Sequence, residues 1–286
     1  MIVDCHVHST ASDGTLTPSE LVGRARRGGF AALALTDHDN CDGIREFLAA
    51  AVSGGDALPR LVPGVELSID PGVGFDKFHL LGLGVDPDHA DLRRFLRRVL
   101  EGRNRRNASI HANFARLGID IRPEPHGEVL ARPHYANWLV AHGYARDVKD
   151  AFDRYLLPES PAETRCYEER WHPPQQEAID VIHAAGGLAV MAHPRYWRRE
   201  WKTARVDFAA AERELAVLKE RGLDGLEALY AANTPEENVE FCRMADRVGL
   251  LKSAGSDFHG AAKPDIELGM SVADDFALPL LERLGG

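Results

Sequence analysis

Apolar positions along the chain fall into short runs that alternate with stretches of helical spacing. Residues 2–6 alternate in polarity and break at Ser12-Asp13-Gly14, the pattern of a strand entering a loop. Thr17-Pro18-Ser19-Glu20 then reads as a capping box with proline at the first helical position, and the helix it opens stops at Gly28-Gly29. Residues 31–35 form a continuous apolar run, as expected of a strand buried on both faces. A helix over 42–52 and strands over 60–65 and 78–85 follow. From 89 to 173 the strand signal disappears into polar, helical sequence, with 93–117 as its longest helical stretch. The alternation then resumes. A helix over 175–185 is stopped by Gly186-Gly187, and strand 188–192 leads to a helix over 207–221 and strand 225–229. A second capping box, Thr234-Pro235-Glu236-Glu237, opens a helix running to Gly249, and 250–254 is the last strand.

Seven strands, mostly followed by helices, predict an α/β fold of parallel βα units. Residues 1–88 and 174–286 would form one barrel, and 89–173 a helical insertion between its fourth and fifth strands, capping the substrate. At 44% hydrophobic and 27% charged, 286 residues are enough to bury a substantial core. No apolar run approaches the ~18 residues of a membrane span, and the N-terminus enters strand pattern without a basic leader. The expectation is a cytoplasmic protein with no membrane partner. Cys5, Cys41, Cys166 and Cys242 are scattered without a CxxC pair, which argues against a disulfide framework or thiolate zinc site. Cys5 reads as a packing residue. A net charge of −10 gives no long-range attraction to duplex DNA, so an anionic substrate must be met by local charge.

Histidine changes the picture. There are 13, several beside carboxylates, and they fall at strand ends. The first strand supplies Asp4, His6 and His8, with Asp13 just beyond. Asp37-His38-Asp39, Glu66, His79, His193, Glu227, and Asp257 with His259 follow, strand by strand. In a closed barrel the C-terminal strand ends converge on one face, so residues remote in sequence become one cluster. Asp4, His6 and His8 stand at i, i+2 and i+4, which puts all three on one strand face. One His-x-His arises by chance; its recurrence at successive strands does not. Imidazole and carboxylate without thiolate suit manganese, iron or zinc in a catalytic site. His89, His111, His126, His142, His172 and His183 lie outside the pattern and read as ordinary surface or core residues. No GxSxG elbow, P-loop or GxGxxG loop is present.

Asp4-Cys5-His6-Val7-His8-Ser9 with Ser12-Asp13-Gly14, Thr36-Asp37-His38-Asp39, Pro63-Gly64-Val65-Glu66, Ala192-His193-Pro194 and Gly255-Ser256-Asp257-Phe258-His259 together resemble the motif series of PHP (polymerase and histidinol phosphatase) domains. The nearer resemblance is to the subgroup acting on nucleotides, with an insertion after a strand like His79-Leu80-Leu81-Gly82-Leu83-Gly84. That insertion carries a segment like Arg132-Pro133-His134-Tyr135-Ala136 and then one like Phe152–Leu156. The chain departs from the subgroup at Pro194, which is followed directly by Arg195 where a glycine usually intervenes, and at Cys5, usually leucine.

The resemblance implies a distorted (β/α)7 barrel with up to three divalent ions, usually manganese. His6, His8, Glu66 and Asp257 would hold one; Glu66 would bridge to a second held with His79 and His193; Asp13, His38 and His259 would hold the third. Glu66, His193 and Asp257 would carry catalysis through the hydroxide those ions share. Asp4, Asp37 and Asp39 would orient ligands. Members of the subgroup act as 3′,5′-nucleoside bisphosphate phosphatases or as 5′→3′ exoribonucleases on short RNA, so a small phosphorylated nucleotide or short RNA is the expected partner. Histidinol-phosphate phosphatase and a non-catalytic PHP module are the alternatives. Arg103 and Arg106, one helical turn apart, with Arg132, His134 and Arg195, are the candidate phosphate contacts, since a guanidinium fork matches a phosphate bidentately.

Overall fold

The structure is a computed structural model and describes residues 1–51, 58–70, 78–124, 129–198, 201 and 205–285; His126 and the end of the expected 42–52 helix lie outside them. Strand β1 (Ile2–Val7) is followed by α1 (Pro18–Arg27), β2 (Ala32–Leu35), α2 (Ile44–Ala49), β3 (Arg60–Ser68) and β4 (His79–Leu83). The insertion holds α3 (Ala90–Arg116), α4 (Arg132–Ala141) and α5 (Val148–Ala151), which runs into a π-helical turn over Phe152–Leu156. The chain then continues through α6 (Gln175–Ala184), β5 (Leu188–Met191), α7 (Phe208–Glu220), β6 (Gly225–Tyr230), α8 (Pro235–Val248), β7 (Leu251–Gly255), β8 (Met270–Ser271) and α9 (Asp274–Arg283). Both capping boxes form: Thr17 and Thr234 accept from the backbone amides of Glu20 and Glu237, whose carboxylates reach back to the cap amides.

The strands lie in one sheet in the order β7-β6-β5-β4-β3-β2-β1-β8. It nearly closes on itself, because the Asp257 amide donates to His6 O (2.9 Å) and the His8 amide to Phe258 O (3.0 Å). The expected run of parallel βα units is corrected at two places. Strand β4 is antiparallel to both β3 and β5, with His79 opposite Ser68. The link over 69–78 is too short for a parallel crossover, which needs a dozen or more residues. Strand β8, antiparallel to β1, is only two residues long and leaves no periodic signature.

Helix α3 joins two cores. Its first turns put Leu92, Phe95 and Val99 into the barrel core with Leu80, Ile182 and Trp197. Its last turns put Ile110 and Phe114 into a separate cluster with Tyr135, Leu139, Tyr155 and Leu156 of the insertion. Arg103 and Arg106 therefore sit at the seam between barrel and insertion. Cys5 packs with Ala34, Val62 and Leu81. Among the described residues no helix is long and apolar enough to cross a membrane.

Candidate metal centre

Strand alternation turns His6 and His8 to one side, where their Nε2 atoms lie 3.1 Å apart. The β2–β3 pairing continues past the end of β2, with the Asp39 amide on Glu66 O (2.9 Å) and the Glu66 amide on Asp37 O (3.1 Å). That brings His38 beside Glu66. His79 opens β4 rather than ending a strand, and the antiparallel direction of β4 is what delivers it to the same face.

Glu66 is the hub. One carboxylate oxygen lies 2.5 Å from His79 Nδ1 and 2.9 Å from His193 Nε2; the other lies 2.9 Å from His38 Nδ1, 3.1 Å from His8 Nε2 and 3.3 Å from His6 Nε2. Asp257 Oδ1 stands 3.4 Å from His8 Nε2 and 3.6 Å from His6 Nε2. Asp13 stands 3.3 Å from His259 Nε2 and 3.8 Å from both His8 and His38. Three donor groups result: His6, His8, Glu66 and Asp257; His38, Glu66 and His79; and His8, Asp13, His38 and His259. All nine expected side chains thus come together, with His193 beside Glu66 and His79, and with His8 and His38 each shared between two groups.

The donor set fits divalent ions. Asp13 Oδ1, His38 Nδ1 and Glu66 Oε2 are buried and make no hydrogen bond, although other donor atoms crowd them. Leaving such atoms unpaired costs about 1–3 kcal/mol each. Burial should push the Glu66, Asp13 and Asp257 carboxyls upward, but the surrounding imidazoles hold all three well below the usual range. Burial likewise disfavours the His8 charge, yet Asp257 and Glu66 raise it to about 9. The site therefore demands positive charge, from protons or from metal. Backbone strain is concentrated here too: Asp39 (φ 54°), His193 (φ 30°) and Asp257 (φ 58°) take left-handed conformations, at about 1–3 kcal/mol each.

Surrounding polar groups hold the donors in place. Glu227 pairs with His6 Nδ1 (2.9 Å) and accepts from the amide of strained His193 (2.5 Å). Asp37 accepts from Ser9 and from Ser12 Oγ (2.6 Å), fixing the loop that presents Asp13. Asp4 accepts from Ser256 N and Oγ and from the Gly269 amide, tying β1 to the turns around β7 and β8; burial pushes its carboxyl up to about 6 despite these bonds. Two residues absent from the sequence reading, Tyr230 and Lys263, donate to Asp257 Oδ2 at 2.9 and 2.6 Å. Tyr230 ends β6 as the other polar residues end their strands; Lys263 lies in a loop with no pattern to mark it.

Gly255 admits no side chain. A Cβ there would fall 2.1 Å from Glu227 Oε1 and 2.5 Å from His6 Cβ. Gly255→Ala is expected to cost about 1–3 kcal/mol through this overlap, read as a lowered midpoint in thermal unfolding; an unchanged midpoint would refute the tight approach.

The candidate phosphate contacts divide. Arg103 reaches Asp39 Oδ2 through Nε (2.9 Å) and Nη2, and Arg170 reaches the same oxygen at 3.0 Å. Arg106 holds Asn107 Oδ1 (2.8 Å) and Leu130 O (3.2 Å). Arg132 donates to Leu156 O and lies over the Tyr167 ring. Burial, then the charges of Arg103, Arg170 and Arg132, push Arg106 down to about 9, so the four guanidiniums share one field. His134 accepts the Ala131 amide through Nδ1 and caps α4. Arg195 pairs with Glu237. The remaining arginines of early α3 are surface groups, Arg94 on Asp91 and Arg98 on Glu177.

Comparison with known proteins agrees with this geometry. The family model described as PHP domain matches residues 4–171. A 3′,5′-nucleoside bisphosphate phosphatase of Chromobacterium violaceum is 35% identical over 276 residues, covering 93% of this chain and 90% of that protein. The 5′-3′ exoribonuclease Rnm of Escherichia coli is 35% identical over 277 residues, covering 95% and 89%. Among solved structures, a Bifidobacterium adolescentis protein described as a metal-dependent phosphoesterase superposes with a TM-score of 0.78 at 30% identity, over 98% of this chain and 96% of that one. With the motifs, the nearly closed sheet and the donor cluster all in agreement, the chain belongs to the PHP domain family and is a metal-dependent phosphoesterase.

Proposed function

We propose that this enzyme removes the 3′-phosphate of nucleoside 3′,5′-bisphosphates, leaving a 5′-nucleotide. The observation behind this reading is the pairing of two charged sites: a buried arginine group joins the donor cluster through Asp39, the residue after His38. One ion would sit among His6, His8, Glu66 and Asp257, a second among Glu66, His79 and His193, and a third among Asp13, His38 and His259, with manganese the expected metal. Bound there, the ions supply positive charge to the phosphoryl oxygens and make water a better nucleophile near neutral pH. The chain does the rest. Arg103, Arg106 and Arg132 hold the phosphate that does not react, Glu227 and Lys263 fix His6 and Asp257, and the 3′-oxygen leaves with the proton that water gives up.

The E. coli relative's name favours a second reading, stepwise removal of nucleotides from the 5′ end of short 5′-phosphorylated RNA. The same placement accepts it, with the 3′-oxygen of the 5′-terminal nucleotide again the leaving group and the rest of the RNA retained on the phosphoryl group as its new 5′-phosphate. Histidinol phosphate suits the site less well, because its amine would approach guanidinium groups where a second phosphate is wanted. Protein reconstituted with manganese should be assayed on adenosine 3′,5′-bisphosphate, a 5′-phosphorylated oligoribonucleotide and histidinol phosphate, with elemental analysis alongside. Fewer than two ions per folded chain, or a preference for histidinol phosphate, would overturn the reading.

Lys263→Met should lower metal affinity roughly 10- to 100-fold, the usual effect of losing a group that orients a ligand, because Asp257 Oδ2 loses its charged partner while Tyr230 remains. Titration of metal-free protein with manganese measures this. Unchanged affinity would mean that the lysine contact is incidental.

A further inference from the structure

The arginine group is charged beyond what its partners balance. Arg103, Arg106, Arg132 and Arg170 meet at the seam between barrel and insertion, and Asp39 is the one carboxylate they hydrogen-bond among the described residues. Arg170 is the member that nothing in the sequence singles out. Its side chain is only 6% exposed, its Nη2 rests on Asp39, and its Nη1 is buried with no hydrogen-bond partner. A buried guanidinium with an unused donor edge, among three others, lacks an anion.

Asp39 cannot turn away to make room. Its Oδ1 accepts the Ser68 amide (2.8 Å), its Oδ2 accepts from Arg103 and Arg170, and its backbone is held at φ 54°. An arriving anion therefore meets four guanidiniums, with the Asp39 carboxylate fixed between two of them and Glu169 acting on Arg132 from farther out. Attraction scales with ligand charge, so a dianion gains about twice what a monoanion gains from the same field.

We propose that Arg170 completes this seat and sets its charge preference: its open fork takes a phosphate monoester dianion ahead of a singly charged phosphodiester, and Asp39 holds Arg103 and Arg170 oriented to receive it. The inference rests on the reading that a second phosphate binds here, and it assigns the seat to a terminal phosphate rather than an internucleotide linkage. The free edge of Arg170 lets the dianion bind without breaking the Asp39 contacts, which keep both guanidiniums oriented.

The test uses full-length protein without added metal, so that no turnover intervenes. Calorimetric titration at pH 8 compares methyl phosphate, a dianion, with dimethyl phosphate, a monoanion. Wild type should favour methyl phosphate by tenfold or more. Arg170→Met should weaken methyl phosphate about tenfold or more, the worth of one charge-assisted contact, and leave dimethyl phosphate little changed. The difference between the two proteins separates this seat from anion binding at the donor cluster. Asp39→Asn keeps an acceptor but removes the charge, so it should raise the affinity for both anions, for methyl phosphate more than for dimethyl phosphate, and widen the ratio. A purely structural Arg170 would lower the melting temperature without moving that ratio. Arg170→Met binding methyl phosphate like wild type, or Asp39→Asn leaving the ratio unchanged or narrowing it, would overturn the proposal. If the anion series behaves as stated while the bisphosphate is not hydrolysed, the functional reading fails alone; if the bisphosphate is hydrolysed while Arg170→Met has no effect on binding, the seat fails alone.

Discussion

Glu66→Gln is expected to lower kcat by about two to four orders of magnitude while the protein stays folded. Glu66 touches five imidazoles through its two oxygens. Breaking a buried charged constellation by removing one partner costs about 3–5 kcal/mol, which a rate reads as those orders of magnitude. Glutamine keeps the shape and volume but replaces one charged acceptor with an amide nitrogen, so the two donor groups that contain Glu66 would each hold a divalent ion less tightly. The fold should survive, because β3 keeps its pairing with β2 and β4 through the backbone, and a neutral side chain is easier to bury than a carboxylate. Asp13→Ala should cost less, since it removes a donor only from the group containing His259; His38→Ala also takes a donor from the group of Glu66 and His79 and should fall between the two. His183, paired with Asp224 on the far end of α6, gives a control whose alanine variant should leave kcat alone. Measuring kcat, metal content and melting temperature on the same preparations decides the matter: near-normal kcat in Glu66→Gln would remove its central role.

The donor cluster was legible because strands write their geometry into sequence. A two-residue repeat places His6 and His8 on one face, and buried strands that end in polar residues announce that those ends meet. The same logic mistook the direction of β4. His79 reads as a strand terminus in either direction, and only the short link over 69–78 separates an antiparallel return from a parallel crossover. What escaped the sequence lies in loops, where no period operates. Lys263 reaches Asp257 from the segment after His259. Arg170 follows Glu168 and Glu169 and looks like part of a solvated charge run, yet its side chain is buried against Asp39. Arg103 and Arg106 were visible as a pair one turn apart, but so were Arg94 and Arg98, which the structure leaves on the surface. The difference between the pairs is where α3 crosses from one core to the other, a tertiary fact with no local signature.

Adenosine 3′,5′-bisphosphate should exceed adenosine 3′-monophosphate in kcat/KM by about one to two orders of magnitude, because the monophosphate leaves the arginine group without its anion. A hydrogen bond to a charged group contributes about 1.5–3 kcal/mol, and in kcat/KM that difference appears in full when the contact is made in the transition state. On the proposed reading Arg103, Arg106 and Arg132 make this contact together with Arg170, so the preference should shrink when one of them is neutralised. Arg106→Met is the sharpest variant: among the described residues Arg106 bonds neutral acceptors, Asn107 Oδ1 and Leu130 O, and its removal strands no carboxylate there. It should lower kcat/KM for the bisphosphate roughly tenfold or more and leave the monophosphate nearly untouched. A general loss of stability would depress both substrates together and would be seen as a lowered melting temperature. The oligoribonucleotide separates the two functional readings. If a 5′-phosphorylated oligonucleotide is shortened stepwise at a rate comparable with the bisphosphate, the pocket is open beyond the reacting phosphate and the enzyme is better described as an exoribonuclease. Equal kcat/KM for the 3′-monophosphate and the bisphosphate would remove the two-phosphate clamp altogether, since the buried guanidiniums would then contribute nothing to the transition state.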